Sequence, residues 1–423
     1  MRHINFFDRN SFRIIVPGGG TGGVTAFLAE QLNHTNAEVV YLDFSTTSMK
    51  IAQRKACNRK LHNIIWIRSW IEGVRYLGMG VFEELQCSGV LHHLKRPPLG
   101  LRILKDSLTT DGKMGLMVYA KYGRTGVYQA QRMMNLINDN ENEIKTELHN
   151  TNNTLEVLPE RNWFLVNPLM IFDHKHGNIG IYDLLLHKRD VAYSIQTLFE
   201  WTERAGLHFV DFDNYVQRFI LKTEYMLDDD DIIRMISQLD RTKQLHVAEV
   251  LRGSVIKHEI YASKIENNVA DMHDASNILY ISGGTPHGFR NAISNKNNYA
   301  VVENTRYFIA QISRRIVIGV DFRMLPYDRK NFMKPVVFYF KSTPFTHFLL
   351  DRLLRSNGGI RLKELYSEYR LSSNLSISNN ELFRLTEDFY NSVKDTEMVL
   401  LRNRRITPFP KTGHINFWEI NSK

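Results

Sequence analysis

Arg13-Ile14-Ile15-Val16-Pro17-Gly18-Gly19-Gly20-Thr21-Gly22-Gly23, followed after about twenty residues by Tyr41-Leu42-Asp43, reads as strand, glycine turn, helix, strand and acid. The β-branched run Ile14 to Val16, bounded by Pro17, suits a short buried parallel strand, and Val24 to Leu32 carries apolar residues at helical spacing. Between them the glycines permit a tight turn and close approach of a ligand to the backbone, with the first helical amides free to bond it. Glu38 to Leu42 gives a second strand. Asp43 at its carboxyl end can accept hydrogen bonds from both ribose hydroxyls of a nucleoside. The pattern marks a nucleoside-cofactor site.

The glycines do not name the cofactor. Gly18, Gly20 and Gly23 satisfy the G-x-G-x-x-G of dinucleotide sites, while Gly18, Gly20 and Gly22 satisfy the G-x-G-x-G turn of S-adenosylmethionine enzymes. Composition narrows the setting. With 423 residues the chain should form two or three domains, and 43% apolar with 11% aromatic residues argues against disorder. Cys57 and Cys87 are the only cysteines and form no C-x-x-C pair, which excludes a disulfide framework and a cysteine zinc site and fits a reducing compartment. No apolar run approaches membrane-spanning length, and Met1-Arg2-His3-Ile4-Asn5 lacks a signal-peptide core, so the expectation is a soluble, cytoplasmic chain without a membrane partner. The net charge of +9 is scattered among acids. Its short clusters at Arg314-Arg315 and at Arg402, Arg404 and Arg405 accompany no zinc-finger, helix-turn-helix or RNP-type motif. A solvated basic surface is the favoured reading over nucleic acid, with an acidic partner the lesser alternative.

About a dozen residues precede the first strand, few for a doubly wound sheet, so a helix or domain is expected to be missing or placed elsewhere. Ser45 to Asn58 has helical character, and Asn63 to Ile67 gives a third strand ending at Arg68-Ser69-Trp70-Ile71-Glu72. Ligands of doubly wound sheets lie at the carboxyl ends of the strands, which puts this segment beside the base. Trp70 would stack there and Glu72 would accept a bond from the base's amino group; a core Trp is the equal alternative. Then come Cys87-Ser88-Gly89-Val90-Leu91-His92-His93-Leu94, a leucine-rich helix from Leu99 to Leu108, a turn at Asp111-Gly112 and an apolar strand from Met114 to Tyr119. This run resembles the second half of class I S-adenosylmethionine-dependent methyltransferases, and dinucleotide enzymes do not usually carry it.

The resemblance implies an α/β, Rossmann-like seven-stranded methyltransferase sheet with helices on both faces, S-adenosylmethionine as cofactor, and methyl transfer as activity. It implies that Gly18, Gly20 and Gly22 wrap the cofactor's amino-acid end and Asp43 holds the ribose. Ser69 and Trp70 would border the adenine, and Cys87, Ser88 and Gly89 the methionine part. One departure stands out: many members carry an acid at the position of Val16, and here it is absent. His92 and His93 are candidate bases, because imidazole suits proton transfer near neutrality, although packing under the next loop is the commoner role for such a pair. Methyl transfer needs no protein nucleophile. Tyr119, Tyr122 and Arg124, where the fifth strand ends, are candidates for orienting an acceptor.

Asp173-His174-Lys175-His176 and Ile181 to His187 have acid and histidine spacings that could bind metal, yet no motif sets the ligands, so no metal site is expected. The helix from Ser194 to Ala205, Gly206 and the strand from Leu207 to Phe212 look like the penultimate helix and sixth strand of the methyltransferase sheet. On that basis residues 1–225 form the cofactor-binding domain with an insertion at 123–193, a region where members often build an acceptor lid. Four acids from Asp228 to Asp231 suit a helix start. Residues 226–330 read as a helical accessory region, with a loose resemblance to bacterial methyltransferases that carry a regulatory domain, and 331–423 as a small helical or winged-helix-like module, so that the C-terminal region is mainly helical. Some proteins with this two-part layout methylate protein lysines, so a protein acceptor is favoured over a small molecule, and the accessory region would serve substrate choice or formation of a homodimer. A non-catalytic regulatory protein on the same fold and a nicotinamide-dependent oxidoreductase are the alternatives. The latter lacks an identifiable hydride-transfer partner.

Overall fold

A computed structural model describes residues 12–141, 143–166, 177–213, 215–281, 300–301, 307–312, 315–320, 336–341, 343–356, 359–374, 376–394 and 399–402. The chain divides into two units, one of Met1–Gly22, Val39–Ile51 and Ile65–Asn267, the other of Gly23–Glu38, Ala52–Ile64 and Asn268–Lys423. The expected metal-like segment Asp173-His174-Lys175-His176, the turn at Ser282-Gly283-Gly284-Thr285-Pro286, and Arg314, Arg404 and Arg405 lie outside the described residues.

The first unit is built on a Rossmann-like sheet of seven strands: β1 (Arg13–Pro17), β2 (Glu38–Asp43), β3 (Ile64–Arg68), β4 (Phe82–Ser88), β5 (Leu108–Tyr119), β6 (His208–Phe212) and β7 (Lys257–Ser263), in the order β3-β2-β1-β4-β5-β7-β6. β1 runs parallel to β4, with Ile15 opposite Leu85, and β4 parallel to β5, with Cys87 opposite Leu116. β7 is antiparallel to both β5 and β6. β1 is buried along its whole length, as a central parallel strand enclosed on both faces should be, which is why Ile14-Ile15-Val16 shows no alternation.

β7 lies beyond the boundary expected near residue 225. β6 is followed by the helices Asp230–Ser237 and Arg241–Arg252 before the chain returns as β7 between β5 and β6. Asp229 and Asp240 cap these helices, Asp229 Oδ1 accepting from the amides of Asp231 and Ile232 at 3.0 Å and Asp240 Oδ1 from Lys243 at 3.0 Å. Gly253, at φ +63°, ends the second. Within the 226–330 region read as helical, Lys257–Ser263 is therefore strand. Its alternating burial carries His258 in the core, so hydrophobic periodicity alone does not reveal it.

Between β5 and the helix Ile195–Arg204 the chain inserts α-helices Thr125–Ile137 and Ile144–Glu156 and a short helical segment, Gly177–Ile181, that runs into a π-turn, Tyr182–Leu186. Val127, Ala130, Phe164, Leu184 and Leu185 form its own small core.

The second unit includes the helices Gly23–Leu32 and Thr46–Asn58, the latter from Ala52 onward. Farther on it holds an antiparallel sheet β12-β11-β10-β9 (Val336–Lys341, Arg315–Val320, Tyr307–Ile312, Ala300–Val301) and a smaller one, β13-β8-β14 (Ile360–Arg361, Ile278–Ile281, Val399–Arg402). Strands thus occupy part of the 226–330 region read as helical. The helices Pro344–Arg355, Leu362–Ser373 and Asn379–Val393 share a core of Phe345, Leu349, Leu353, Leu365, Leu382 and Phe389. Among the described residues no helix is long and apolar enough to cross a membrane.

Candidate active site

The strand order reverses between β1 and β4, and a crevice at such a point is where open α/β sheets take ligands. After Pro17 the chain turns through Gly18, Gly20 and Gly22 at φ of +69°, +52° and +83°, conformations that cost an L side chain but not glycine. A Cβ on Gly18 would lie 2.4 Å from Val90 Cγ2. The turn is fastened to β2. Gly18 and Gly19 N–H donate to the Leu42 carbonyl at 2.7 and 3.0 Å, Gly20 N–H to Asp43 Oδ2 at 2.8 Å, and the Tyr41 hydroxyl to the Gly20 carbonyl at 2.7 Å. Burial, and after it the charge of Asp43, pushes the Tyr41 hydroxyl above its ordinary pKa, so it remains a donor. Ser45 N–H donates to Asp43 Oδ1 at 2.7 Å. Each carboxylate oxygen, having spent one lone pair, keeps another for a ligand hydroxyl. The turn's own amides are largely engaged, since Gly22 N–H also donates to the Gly19 carbonyl at 2.9 Å. The glycines thus leave room at the backbone, and Asp43 carries acceptor capacity on the cavity wall.

A cavity of about 750 Å³ opens at this point, with Gly18, Asp43, Ser69, Trp70, Glu72 and Gly89 on its walls. Trp70 is 61% exposed and stacks on Phe44, also exposed, with ring centroids 4.2 Å apart and planes at 8°. It is a surface platform, not a core residue. Of the expected methionine-side residues only Gly89 borders the cavity. Cys87 is buried inside the sheet, where desolvation pushes its thiol up to about 12, and Ser88 is exposed.

The chain then makes a short 3₁₀ turn, Leu91–His93. His92 is fully buried between the rings of His93 and Tyr119, at centroid distances of 4.1 and 4.0 Å, and neither ring nitrogen has a hydrogen-bond partner. Burial, then the neighbouring His93 and Arg124, pushes it down to about 2. Fully buried and off the cavity wall, His92 does not reach an acceptor there as the base it was expected to be. His93 borders the cavity and its Nδ1 lies 2.9 Å from the Arg189 carbonyl. A carbonyl only accepts, so Nδ1 carries the hydrogen and Nε2 keeps its lone pair. Burial lowers the pKa of His93, partly offset by that carbonyl.

The acceptor-side candidates separate. Arg124 is buried with its guanidinium carbon 3.5 Å above the Tyr119 ring and Nη2 3.7 Å from Asp190 Oδ2, and the Tyr119 hydroxyl donates to Asp183 at 3.1 Å. Both back His92. Tyr122 turns away to His246 Nε2 at 3.5 Å, beside the buried pair Glu249 and His258 (2.8 Å). The far wall comes instead from the insertion, through Tyr182, His187, Lys188 and Arg189. The sequence marked that insertion as a lid but not which of its residues reach the site. It also gave no sign that Asp190 would meet the paired histidines: the ligand atoms of His92, His93 and Asp190 lie within 4.8 Å of one another.

A family model described as a methyltransferase domain matches residues 17–114, which span the glycine turn, Asp43 and the His92-His93 run. Over those residues the chain is similar to a methyltransferase domain. Its fold is similar to that of PKMT2 from Rickettsia typhi in complex with AdoHcy, with TM-score 0.54 at 12% identity over 93% of this chain and 71% of that one. A second structure of PKMT2 gives 0.52 at 11% with the same coverage. An uncharacterized protein of Synechococcus sp. is 27% identical over 282 residues, 63% of this chain and 64% of the relative, so the match spans less than two thirds of that relative's length. The sheet that holds the matched residues extends past them, because β5 continues to Tyr119 and β6 and β7 complete it.

Proposed function

We propose that the methyltransferase domain binds S-adenosylmethionine in this cavity and passes its methyl group to an acceptor that enters on the His93 side, a protein side chain in preference to a small molecule. The observation that carries this reading is Asp43, bonded to Gly20 N–H at 2.8 Å and lining one cavity with Ser69, Trp70 and Glu72. It combines an acid for the ribose with a platform for the base. Ligand pockets commonly fall between about 300 and 1,000 Å³, and the cavity of about 750 Å³ lies within that range. Gly18, lacking the Cβ that Val90 would obstruct, lets a ligand approach the backbone. The match of residues 17–114 to methyltransferase domains and the AdoHcy held by the similarly folded PKMT2 support the same reading.

When bound, S-adenosylmethionine supplies an electrophilic methyl group on a sulfonium. The chain's part is positioning and exclusion of water. Asp43 fixes the ribose, Trp70 offers a flat face, and Glu72 accepts from the exocyclic amine. His93, on the cavity wall, borders the side on which the acceptor would enter. Lys95, Lys188 and Arg189 at the cavity favour an acceptor with acidic surroundings. Residues 268–423 are proposed to select that acceptor or to mediate dimerisation.

Purified protein incubated with methyl-tritiated S-adenosylmethionine and fractionated cell lysate tests the proposal. Label in a protein band supports it, and label confined to small molecules reassigns the acceptor. AdoHcy binding with no labelled product in any fraction supports a non-catalytic reading. One observation favours that second reading: Val16, where many class I enzymes carry an acid, is a buried valine.

A further inference from the structure

We propose that His92, His93 and Asp190 bind a divalent transition-metal ion, with Zn²⁺ the ion their chemistry suits. The site does not depend on the cofactor reading. Three donors of two types converge: two imidazoles from the turn after β4 and one carboxylate from the insertion, all with ligand atoms within 4.8 Å of one another. Imidazole and carboxylate together suit Zn²⁺ and its neighbours, and bonds of about 2.0 to 2.2 Å require only a modest inward movement of the donors.

The second observation is the state of the donors. His92 is fully buried and neither of its ring nitrogens has a hydrogen-bond partner, an arrangement that costs free energy unless something occupies the space they face. Asp190 Oδ1 is also buried and unpartnered, while its other oxygen, Oδ2, accepts from Gln131 Nε2 at 3.2 Å and faces Arg124 Nη2 at 3.7 Å. The ligating oxygen is thus left free, and the opposite one is held. His93 shows the same division, its Nδ1 held by the Arg189 carbonyl at 2.9 Å while its Nε2, 3.9 Å from Asp183 Oδ1 and beyond hydrogen-bond reach of it, keeps its lone pair to ligate. Metal-binding histidines and carboxylates are regularly held this way through the atom that does not bind the metal. Arg124 opposes a cation, but its Nη2 faces the Oδ2 side of Asp190, at 3.7 Å, and not Oδ1. Three protein ligands leave a fourth position for water or for an acceptor atom.

The test uses the full chain without an affinity tag, stripped with a chelator and titrated with Co²⁺ as a spectroscopic substitute for Zn²⁺. The expected result is one equivalent of Co²⁺ with visible ligand-field absorption, displaced by Zn²⁺. His93→Gln and Asp190→Asn should each weaken binding roughly 10- to 100-fold. The circular dichroism of each variant reports whether it is folded. His93→Gln keeps the test decisive if Asp190→Asn destabilises the protein by stranding Arg124. Uptake of neither Co²⁺ nor Zn²⁺ by the wild type, which would leave a buried water as the partner of His92, overturns the proposal, as does unchanged binding in folded His93→Gln. AdoHcy binding measured on the same samples separates failure of this site from failure of the cofactor reading.

Discussion

Asp43→Asn is the perturbation that reaches furthest into the account. The carboxylate accepts from Gly20 and Ser45 amides at 2.8 and 2.7 Å, one on each oxygen, and retains one lone pair per oxygen for the two ribose hydroxyls. An amide of the same shape has one acceptor oxygen. Its NH₂ must face either the Gly20 or the Ser45 N–H, so one backbone bond and one ribose bond are lost, and the other ribose bond loses its charge assistance. Hydrogen bonds to charged groups contribute about 1.5 to 3 kcal/mol each, so AdoHcy binding should weaken by roughly 2 to 4 kcal/mol. At 1.4 kcal/mol per decade this is roughly 30- to 700-fold in Kd. Calorimetric titration with AdoHcy measures it, and urea unfolding of the same variant separates a local loss from collapse of the glycine turn, which should cost about 1 to 3 kcal/mol of stability. A folded Asp43→Asn protein that binds AdoHcy within about threefold of wild type, well under one decade, would refute the assignment of Asp43 to the ribose.

Gly18→Ala should destabilise the protein by about 1 to 3 kcal/mol for its positive φ, with a further loss from the overlap with Val90; denaturant unfolding shows this, and Gly18→Ala with Val90→Ala should recover only the steric part. Glu249→Ala strands His258 and the Ile195 amide, which Glu249 binds at 2.8 and 2.9 Å, and unfolding by urea should show a loss of about 3 to 5 kcal/mol, as for one partner of a buried pair. Native protein treated with a thiol reagent near pH 8 should react at the exposed Cys57 and not at Cys87, whose thiol burial pushes up to about 12; mass spectrometry should find Cys87 modified only after unfolding. In the fold the Cys87 thiol stays protonated while the unfolded chain ionises above the ordinary 9.0, so its contribution to stability falls as pH rises from 9.0 toward about 12.

The stretch from Arg13 to Asp43 was legible because strand, turn, helix and acid are adjacent in the chain and each has a local signature. The place of Ser69 and Trp70 on the cavity wall was legible for a related reason: they follow β3 directly, and ligands gather at strand ends. β7 was hidden, since its alternation places His258 in the core, paired with Glu249. The far wall was hidden for a different reason. His93 and Arg189 are separated by 96 positions, and only tertiary packing brings the insertion to the paired histidines. Arg124 and Tyr122, polar and at a strand's carboxyl end, had the signature of ligand contacts, but burial of one under Tyr119 and rotation of the other toward His246 depend on contacts no local pattern encodes.

The most direct measurement is a crystal structure of the protein grown with AdoHcy. The account predicts the ribose hydroxyls on the two oxygens of Asp43, the base beside Ser69, Trp70 and Glu72, and the sulfur toward Gly89 and His93. AdoHcy bound elsewhere, or an undisturbed Asp43 cavity at saturating AdoHcy, would contradict it.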